Sequence, residues 1–476
     1  MQFLTQTEGL SLLAIFGITM IGLVWFRTKA SKHAEGFLVA DRNVGPWKAG
    51  LSLAISWAWA PAFFMCSLMS FSNGLAGAFW FIAPNILTFF IFIPFALKIR
   101  KEMPKGYTLP EYIYDRFGGN KAIHIVFVVA FLLSMLVAFV ANTTAGGILL
   151  HTLSGIDRDI AVIAMVLIAL TYSLFSGLKA SIITDLIQIA MVFVFILIIM
   201  PWVIIELGGF SYIIDNLSGI SGEYGFFLHP AIAFTMGIPT SIVLITGPLC
   251  DQMFIQRIFA VQQKEIPKTL AIAGLSFGII PITLSLLGFI AVGLVQDGSI
   301  IVDNPEMVGP TVIGHLLPDY ALWGFTFMAF AGLCSTIDSA LCAISSIGAV
   351  DIYKRYFVHD AIDQRLLRAS RIIMIIMAIF GLIISFSQPN ILWVFMIGGS
   401  VTASTFFPVI LALFWKRLPA YGVFLSVILS LAIGLPYSIY ANYSEATEHI
   451  VYASMVSVFI PLLICGVTGL MNRKTG

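Results

Sequence analysis

Within one long apolar stretch, LCSTIDSALCAISS (Leu333 to Ser346), the chain carries five hydroxyl side chains and one carboxylate, Asp338. Gly332, Ser335, Thr336 and Ser339 recur at three- and four-residue spacing, which puts them on one face of a helix with Asp338 at its edge. Hydroxyls so placed serve either of two purposes. They bond back to their own backbone and hold helices together, or they join freed carbonyls as oxygen ligands for a hard cation such as Na+. The carboxylate is the more demanding group, because an ionised acid at mid-membrane costs from about 3 to more than 10 kcal/mol. It requires a cation, a proton or a basic partner, and no Lys or Arg is expected at its depth. The other carboxylate well inside an apolar run is Asp185, in SIITDLIQIA. Two acids facing one site would bind a cation between them or share a proton, since like charges at short range resist double ionisation.

These residues sit in a chain built for lipid. Hydrophobic residues make up 59% of the sequence and charged ones 10%, far below the charge of soluble domains. Apolar windows long enough to cross the bilayer recur from end to end, at about 13 positions. They fall near 7–26, 48–72, 77–98, 122–150, 160–177, 180–206, 231–255, 267–295, 311–350, 369–387, 391–415, 420–441 and 451–471. The ninth is too long for one crossing and implies a lead-in helix and an extension. If alternate loops face the cytoplasm, beginning with the one after the first span, 24 of the 25 Lys and Arg residues lie inside, with Arg158 the exception. The N-terminus is then outside and the C-terminus inside.

The first run, Thr7 to Phe26, lacks a basic leading segment and a small-residue cleavage site, and reads as a retained span. The five cysteines (Cys66, Cys250, Cys334, Cys342, Cys465) fall inside predicted spans, which argues against a disulfide framework. Basic residues are scattered over short loops, so the net charge of +1 points to no nucleic acid. One membrane domain over 1–476 is expected, with the lipid bilayer and a small-molecule solute as its partners and no obligate protein partner.

Two spans are badly made as continuous helices. The second, LSLAISWAWAPAFFMCSLMSFSNG, has Pro61 at its middle, where a proline removes a backbone donor and clashes with the preceding turn. The seventh, GIPTSIVLITGPLCDQ, contains Pro239 and the pair Gly247-Pro248. Counted from the second span, the interruptions fall in the first helix of each of two groups of five, 48–206 and 231–415, leaving 7–26 and 420–471 as extra helices. Paired breaks at corresponding positions point to a transporter binding site, where unwound backbone supplies carbonyls to an ion.

The motifs GFLVADRNVG (Gly36 to Gly45), YTLPEYIYDRFG, TDLIQ, DQMFIQR, CSTIDSALCAISSIGAVDIYK and FFPVILALFWKR resemble the solute:sodium symporter family over essentially the whole chain. The resemblance implies an all-α membrane protein with a LeuT-like inverted repeat of two five-helix units, one extra N-terminal helix and two extra C-terminal helices. It implies a main Na+ site from the carbonyls of Ile55, Ala58 and Gly332 and the side chains of Ser335 and Thr336. It also implies a second cation or proton site from Asp185, Asp338 and Ser339. Many relatives have Ser or Thr where this chain has Asp338, which points to a proton-sensitive second site or a different coupling cation. SWAWAPAFF followed by GLAGAFWF, with CSTIDS, is most similar to the branch of urea and polyamine active transporters. Trp57 stands where sugar and proline carriers tend to have a polar or acidic side chain.

A solute pocket near the midplane would draw on Ser56, Trp57, Trp59, Phe79, Trp80, Asn142, Thr143, Thr144 and Trp393, a lining that suits a flat, neutral, hydrogen-bonding solute. The expected function is a cation-coupled symporter in the plasma membrane, with Na+ as coupling ion or H+ in its place, importing urea or a urea-like compound. The alternatives are a proton-coupled symporter of an amino acid, polyamine or carboxylate, and a transporter-like solute sensor. No HExxH and no phosphate-binding glycine loop suggests an enzyme.

Overall fold

In the computed structural model, which describes residues 3–359, 362–444 and 447–472, the apolar runs fold as helices, and among the described residues no strand forms. The chain enters through α1 (Gln6–Arg27), started by a capping box in which Thr5 and Glu8 satisfy each other's backbone donors. A short α2 (Ala34–Val39) leads to α3 (Pro46–Trp57) and then to α4 (Ala60–Glu102). At 1.5 Å per residue α4 would extend about 65 Å, twice the hydrocarbon thickness. It is divided by non-helical dihedrals at Asn73 and Gly74, where Gly74 takes φ +56 and ψ −150, a conformation only glycine adopts without strain. Among the described residues twelve helices are long and apolar enough to span a membrane; α4, which counts once, covers parts of two of the expected crossings.

After α4 come the short helix α5 (Leu109–Arg116), then α6 (Lys121–Ser154), α7 (Arg158–Ser176) and α8 (Leu178–Glu206). Short turns α9 (Ser211–Asp215) and α10 (Pro230–Ile232) precede α11 (Ile238–Thr246) and α12 (Gln252–Ala260). The chain continues through α13 (Ile266–Gln296), α14 (Val308–Leu316), α15 (Asp319–Ile347), α16 (Asp363–Phe386), α17 (Ile391–Phe414), α18 (Ala420–Ser444) and α19 (Thr447–Met471). The long ninth run is thus a lead-in helix, a span and a π-helical extension over Gly348–Phe357.

The hydroxyl-bearing α15 is the centre of the bundle. In its most apolar window 94% of residues are buried against other helices, compared with 39% in α1. It packs on α6 and α8, while α13 lies along α3 and α4. Faces of α1, α8 and α16 keep large apolar side chains such as Ile18, Leu197 and Ile383 exposed, as lipid-facing helices do.

Candidate ion and solute site

Both expected breaks are present. α3 stops at Trp57; Ala58 (φ −77, ψ 65) and Trp59 (φ −63, ψ 174) are not helical, and α4 begins with Pro61 in its first turn, where its missing N–H would have no helical partner anyway. Asn142 on α6 caps the restarted helix, its Oδ1 accepting the Ala60 N–H at 2.8 Å. In the second broken span α11 passes into a 3-10 turn, Gly247–Cys250, and extended Asp251 caps α12 by accepting from the N–H groups of Met253 and Phe254.

The first break meets α15. The Thr336 hydroxyl lies 3.2 Å from the Ser56 carbonyl and 3.4 Å from that of Gly332. The Ile55 carbonyl accepts the N–H of Ala58 at 3.0 Å, and Ser335 donates to Asp185 Oδ1. Gly332 is required here by space as well as by spacing: a Cβ on it would sit 2.0 Å from the Phe63 ring.

Behind this junction lies a polar cluster whose charged members are fully buried. Asp185 accepts from Ser52 at 2.5 Å and from Arg257 Nη2 at 3.0 Å. Asp338 accepts from Tyr172 and Ser181, each at 2.6 Å. Ser339 joins the two halves, 2.8 Å from Arg257 Nη2, 3.0 Å from the Ser56 hydroxyl and 3.3 Å from Asp338 Oδ1. Arg257 also donates through Nε to Ser52 at 2.8 Å and through Nη2 to Ser56 at 2.7 Å.

The expectation that no basic side chain reaches this depth is therefore wrong. Arg257 stands on α12, just past the second break, in DQMFIQR, which in sequence looks like the start of a loop. Every residue from Gln252 to Ala260 is buried, which only the packing of α12 shows. Its guanidinium offers five donors in a fixed fork, and here they hold hydroxyls from α3, a carboxylate from α8 and a hydroxyl from α15. Two carboxylates and one guanidinium leave one acid without a charged partner if both acids ionise, and a buried charge of that kind demands a proton or a cation.

A separate cavity lies above the first break, lined by Trp57, Trp59, Asn85, Ser134, Phe395 and Thr402 among others. It encloses about 40 Å³, space for about three waters at 10–15 Å³ each. Trp57 is fixed by its Nε1 donating to Asn85 Oδ1 at 3.0 Å and by edge contacts to Trp59 and Phe254. The indole N–H of Trp59 is buried with no hydrogen-bond partner among the described residues.

Of the solute residues expected from sequence, Trp57 and Trp59 line this cavity and the others do not. Ser56 belongs to the polar cluster and Asn142 caps the break. Thr143 bonds back to its own helix and to Ser385 at 2.8 Å. The Thr144 hydroxyl is buried and, among the described residues, has no partner. Phe79 and Trp80 pack against each other, with Phe227 against Phe79 and Gly237 against Trp80, and Trp393 is half-buried near the start of α17. Asn85, Ser134, Phe395 and Thr402 had no signal in the sequence beyond ordinary helix composition.

An all-helical membrane bundle with two interrupted helices facing a hydroxyl-rich third is the architecture of a secondary solute transporter. The chain belongs to the sodium:solute symporter family, whose profile matches residues 37–430. It is similar to a urea-proton symporter of Oryza sativa subsp. japonica, 23% identical over 91% of this chain and 65% of the rice protein, so the chain spans less than two thirds of that relative's length. It is also similar to a sodium/glucose cotransporter of Vibrio parahaemolyticus, 24% identical over 96% of this chain and 89% of that protein. Among solved structures, a substrate-bound, outward-open Na+-coupled sialic acid symporter superposes with TM-score 0.79 at 19% identity, covering 98% of both chains. At that identity the likeness shows the fold.

Proposed function

We propose that the chain is a Na+-coupled symporter that imports a small, flat, neutral solute, with urea as the first candidate. The observation that carries the coupling is the junction of Thr336 with the Ser56 carbonyl in the last turn of α3, where hydroxyl and carbonyl oxygens from two elements converge. Na+ is assigned to the cage of Ile55, Ala58, Gly332, Ser335 and Thr336, and bound there it ties α15 to the broken helix. Asp185, Asp338 and Ser339 form the second site, which takes a cation or a proton beside the guanidinium of Arg257. By charge distribution the N-terminus faces outward and the C-terminus the cytoplasm of a plasma membrane.

The solute reading rests on the cavity at Trp57 and Trp59. Among the described residues no charged side chain lines it, which favours a neutral compound over a polyamine or a carboxylate. Indole faces stack on a planar solute, and the Trp59 N–H, unpartnered among the described residues, is a donor free for a carbonyl. Of the remaining pocket candidates, Phe79, Trp80, Asn142, Thr143, Thr144 and Trp393 would contact solute only in another conformation of the transport cycle.

The test is uptake of labelled urea into proteoliposomes, with an inward Na+ gradient compared with equal Na+ on both sides. Accumulation driven by the gradient is expected. Accumulation driven by an inward proton gradient alone would replace Na+ by H+, and absence of urea uptake with gradient-driven uptake of proline or glucose would discard urea.

A further inference from the structure

Three helix ends meet on the positively charged face of the protein and enclose a cleft of about 570 Å³ that the transport reading does not use. α1 ends there in Arg27, Thr28 and Lys29; α3 begins there with Pro46, Trp47 and Lys48; and α8 brings Lys179, Ile182 and Ile183. Among the described residues no carboxylate lies within ion-pair distance of Arg27, Lys29 or Lys48. Lys179 is different, since it is paired with Asp41, which also binds His33 at 2.7 Å. Burial works against ionisation of Asp41, but the hydrogen bonds from Lys179 and His33 outweigh it and hold its carboxyl below the ordinary range. The cleft therefore keeps a net positive charge from three uncompensated side chains.

Two further features favour an anion. The N-terminus of α3 opens beside the cleft, with Gly45 at its cap and no side chain bonded to it, so its positive dipole end is left for another acceptor. Beside the charges the surface turns apolar at once: Ile18, Trp25 and Phe26 on α1 are 73%, 73% and 89% exposed, and Trp47 at the rim is 60% exposed. Charge at the face of the bilayer with bare hydrophobic surface directly below it matches a molecule that is anionic at one end and hydrocarbon at the other. Trp at the rim is the residue type that settles at headgroup level.

We propose that this cleft binds the headgroup of an anionic phospholipid, with its phosphate among Arg27, Lys29, Lys48 and the first turn of α3, and its acyl chains along α1. Basic clefts between membrane helices on the cytoplasmic side bind such headgroups, and α3 is the first half of the broken core helix. A lipid seated here ties the entrance of that half-helix to α1 and α8, stabilising the arrangement seen in the structure. The proposal rests on the orientation by charge but not on the identity of the solute.

The experiment uses the full chain, purified from mixed vesicles of phosphatidylcholine and phosphatidylglycerol, with retained lipid counted by native mass spectrometry. Wild type should retain phosphatidylglycerol in preference to phosphatidylcholine. The variant Arg27→Gln/Lys29→Gln/Lys48→Gln should lose that preference by about fivefold for each charge removed. Lys101→Gln/Lys416→Gln/Arg417→Gln, equal in charge but elsewhere on the same face, should keep it. An equal loss in the second variant would show diffuse attraction and overturn the site.

A second measurement covers the case in which the triple variant does not fold. Phosphatidylglycerol should raise the thermal unfolding temperature of wild type in phosphatidylcholine nanodiscs, and Lys48→Gln alone should shrink that increment. If inorganic phosphate in detergent protects as well as the lipid does, the cleft is a phosphate site and the lipid proposal falls; no increment from either also overturns it.

Discussion

At the scale of single residues, the polar cluster and the cavity make separable demands. Changing Ser335 and Thr336 together to Ala removes both hydroxyls that α15 offers to the proposed Na+ cage. The Na+ concentration for half-maximal uptake is expected to rise severalfold; unchanged Na+ dependence would take both residues out of the site. Arg257→Met leaves Asp185 buried without its cation, a loss on the order of 3–5 kcal/mol, so the variant should unfold at markedly lower temperature in detergent. Asp185→Asn added to it should restore part of the stability, because the uncompensated charge is gone, and a double variant no better than the single one would argue against the pair. Trp59→Phe keeps the ring and deletes the free donor, costing about 0.5–1.5 kcal/mol of solute binding, which reads as a two- to tenfold rise in KM for urea with little change in kcat.

At the scale of elements, close approach of α15 to the restarted half of the broken helix decides whether the proposed ion site closes. Gly332 permits it. In an unobstructed helix Gly→Ala stabilises by about 1 kcal/mol, but here the added Cβ would meet the Phe63 ring at 2.0 Å, an overpacking that costs about 1–3 kcal/mol. Gly332→Ala is therefore expected to cut initial uptake at saturating solute while the protein still reaches the membrane, as measured by uptake per molecule at the surface. Uptake at the wild-type rate would mean that α15 and α4 need not touch during transport. The interrupted helices themselves were readable from Pro61 and Gly247-Pro248, since proline and glycine act locally. The cap that Asn142 provides was not, because Ala60 and Asn142 meet only across the bundle.

At the scale of the whole molecule, coupling is a difference in affinity between conformations, and it limits the work the ion can do. Asp338 sits between α7, α8 and α15, bound to Tyr172 and Ser181, away from the cavity at Trp57. Asp338→Asn is expected to change the ion-to-solute ratio or the pH dependence of uptake and to leave the order of solute preference as it is. A changed preference with an intact ratio would move Asp338 into the solute pocket. Flux ratios measured at fixed membrane potential separate the two outcomes.

The membrane class, the approximate number of crossings, the positions of both breaks and the hydroxyl face of α15 were determined by the sequence itself. Each rests on a local rule: hydropathy over about 20 residues, the missing donor of proline, the 3.6-residue period of a helix. Only the tertiary structure decided that Asp185 and Asp338 share one network, that Arg257 enters it from beyond the second break, and that Trp57 and Trp59 rather than Phe79 or Trp393 line the cavity. Those outcomes depend on which faces of distant helices meet. A long side chain such as that of Arg257 is paired or solvated according to neighbours 72 and 205 positions away in the chain, a distance over which no periodicity in the sequence speaks.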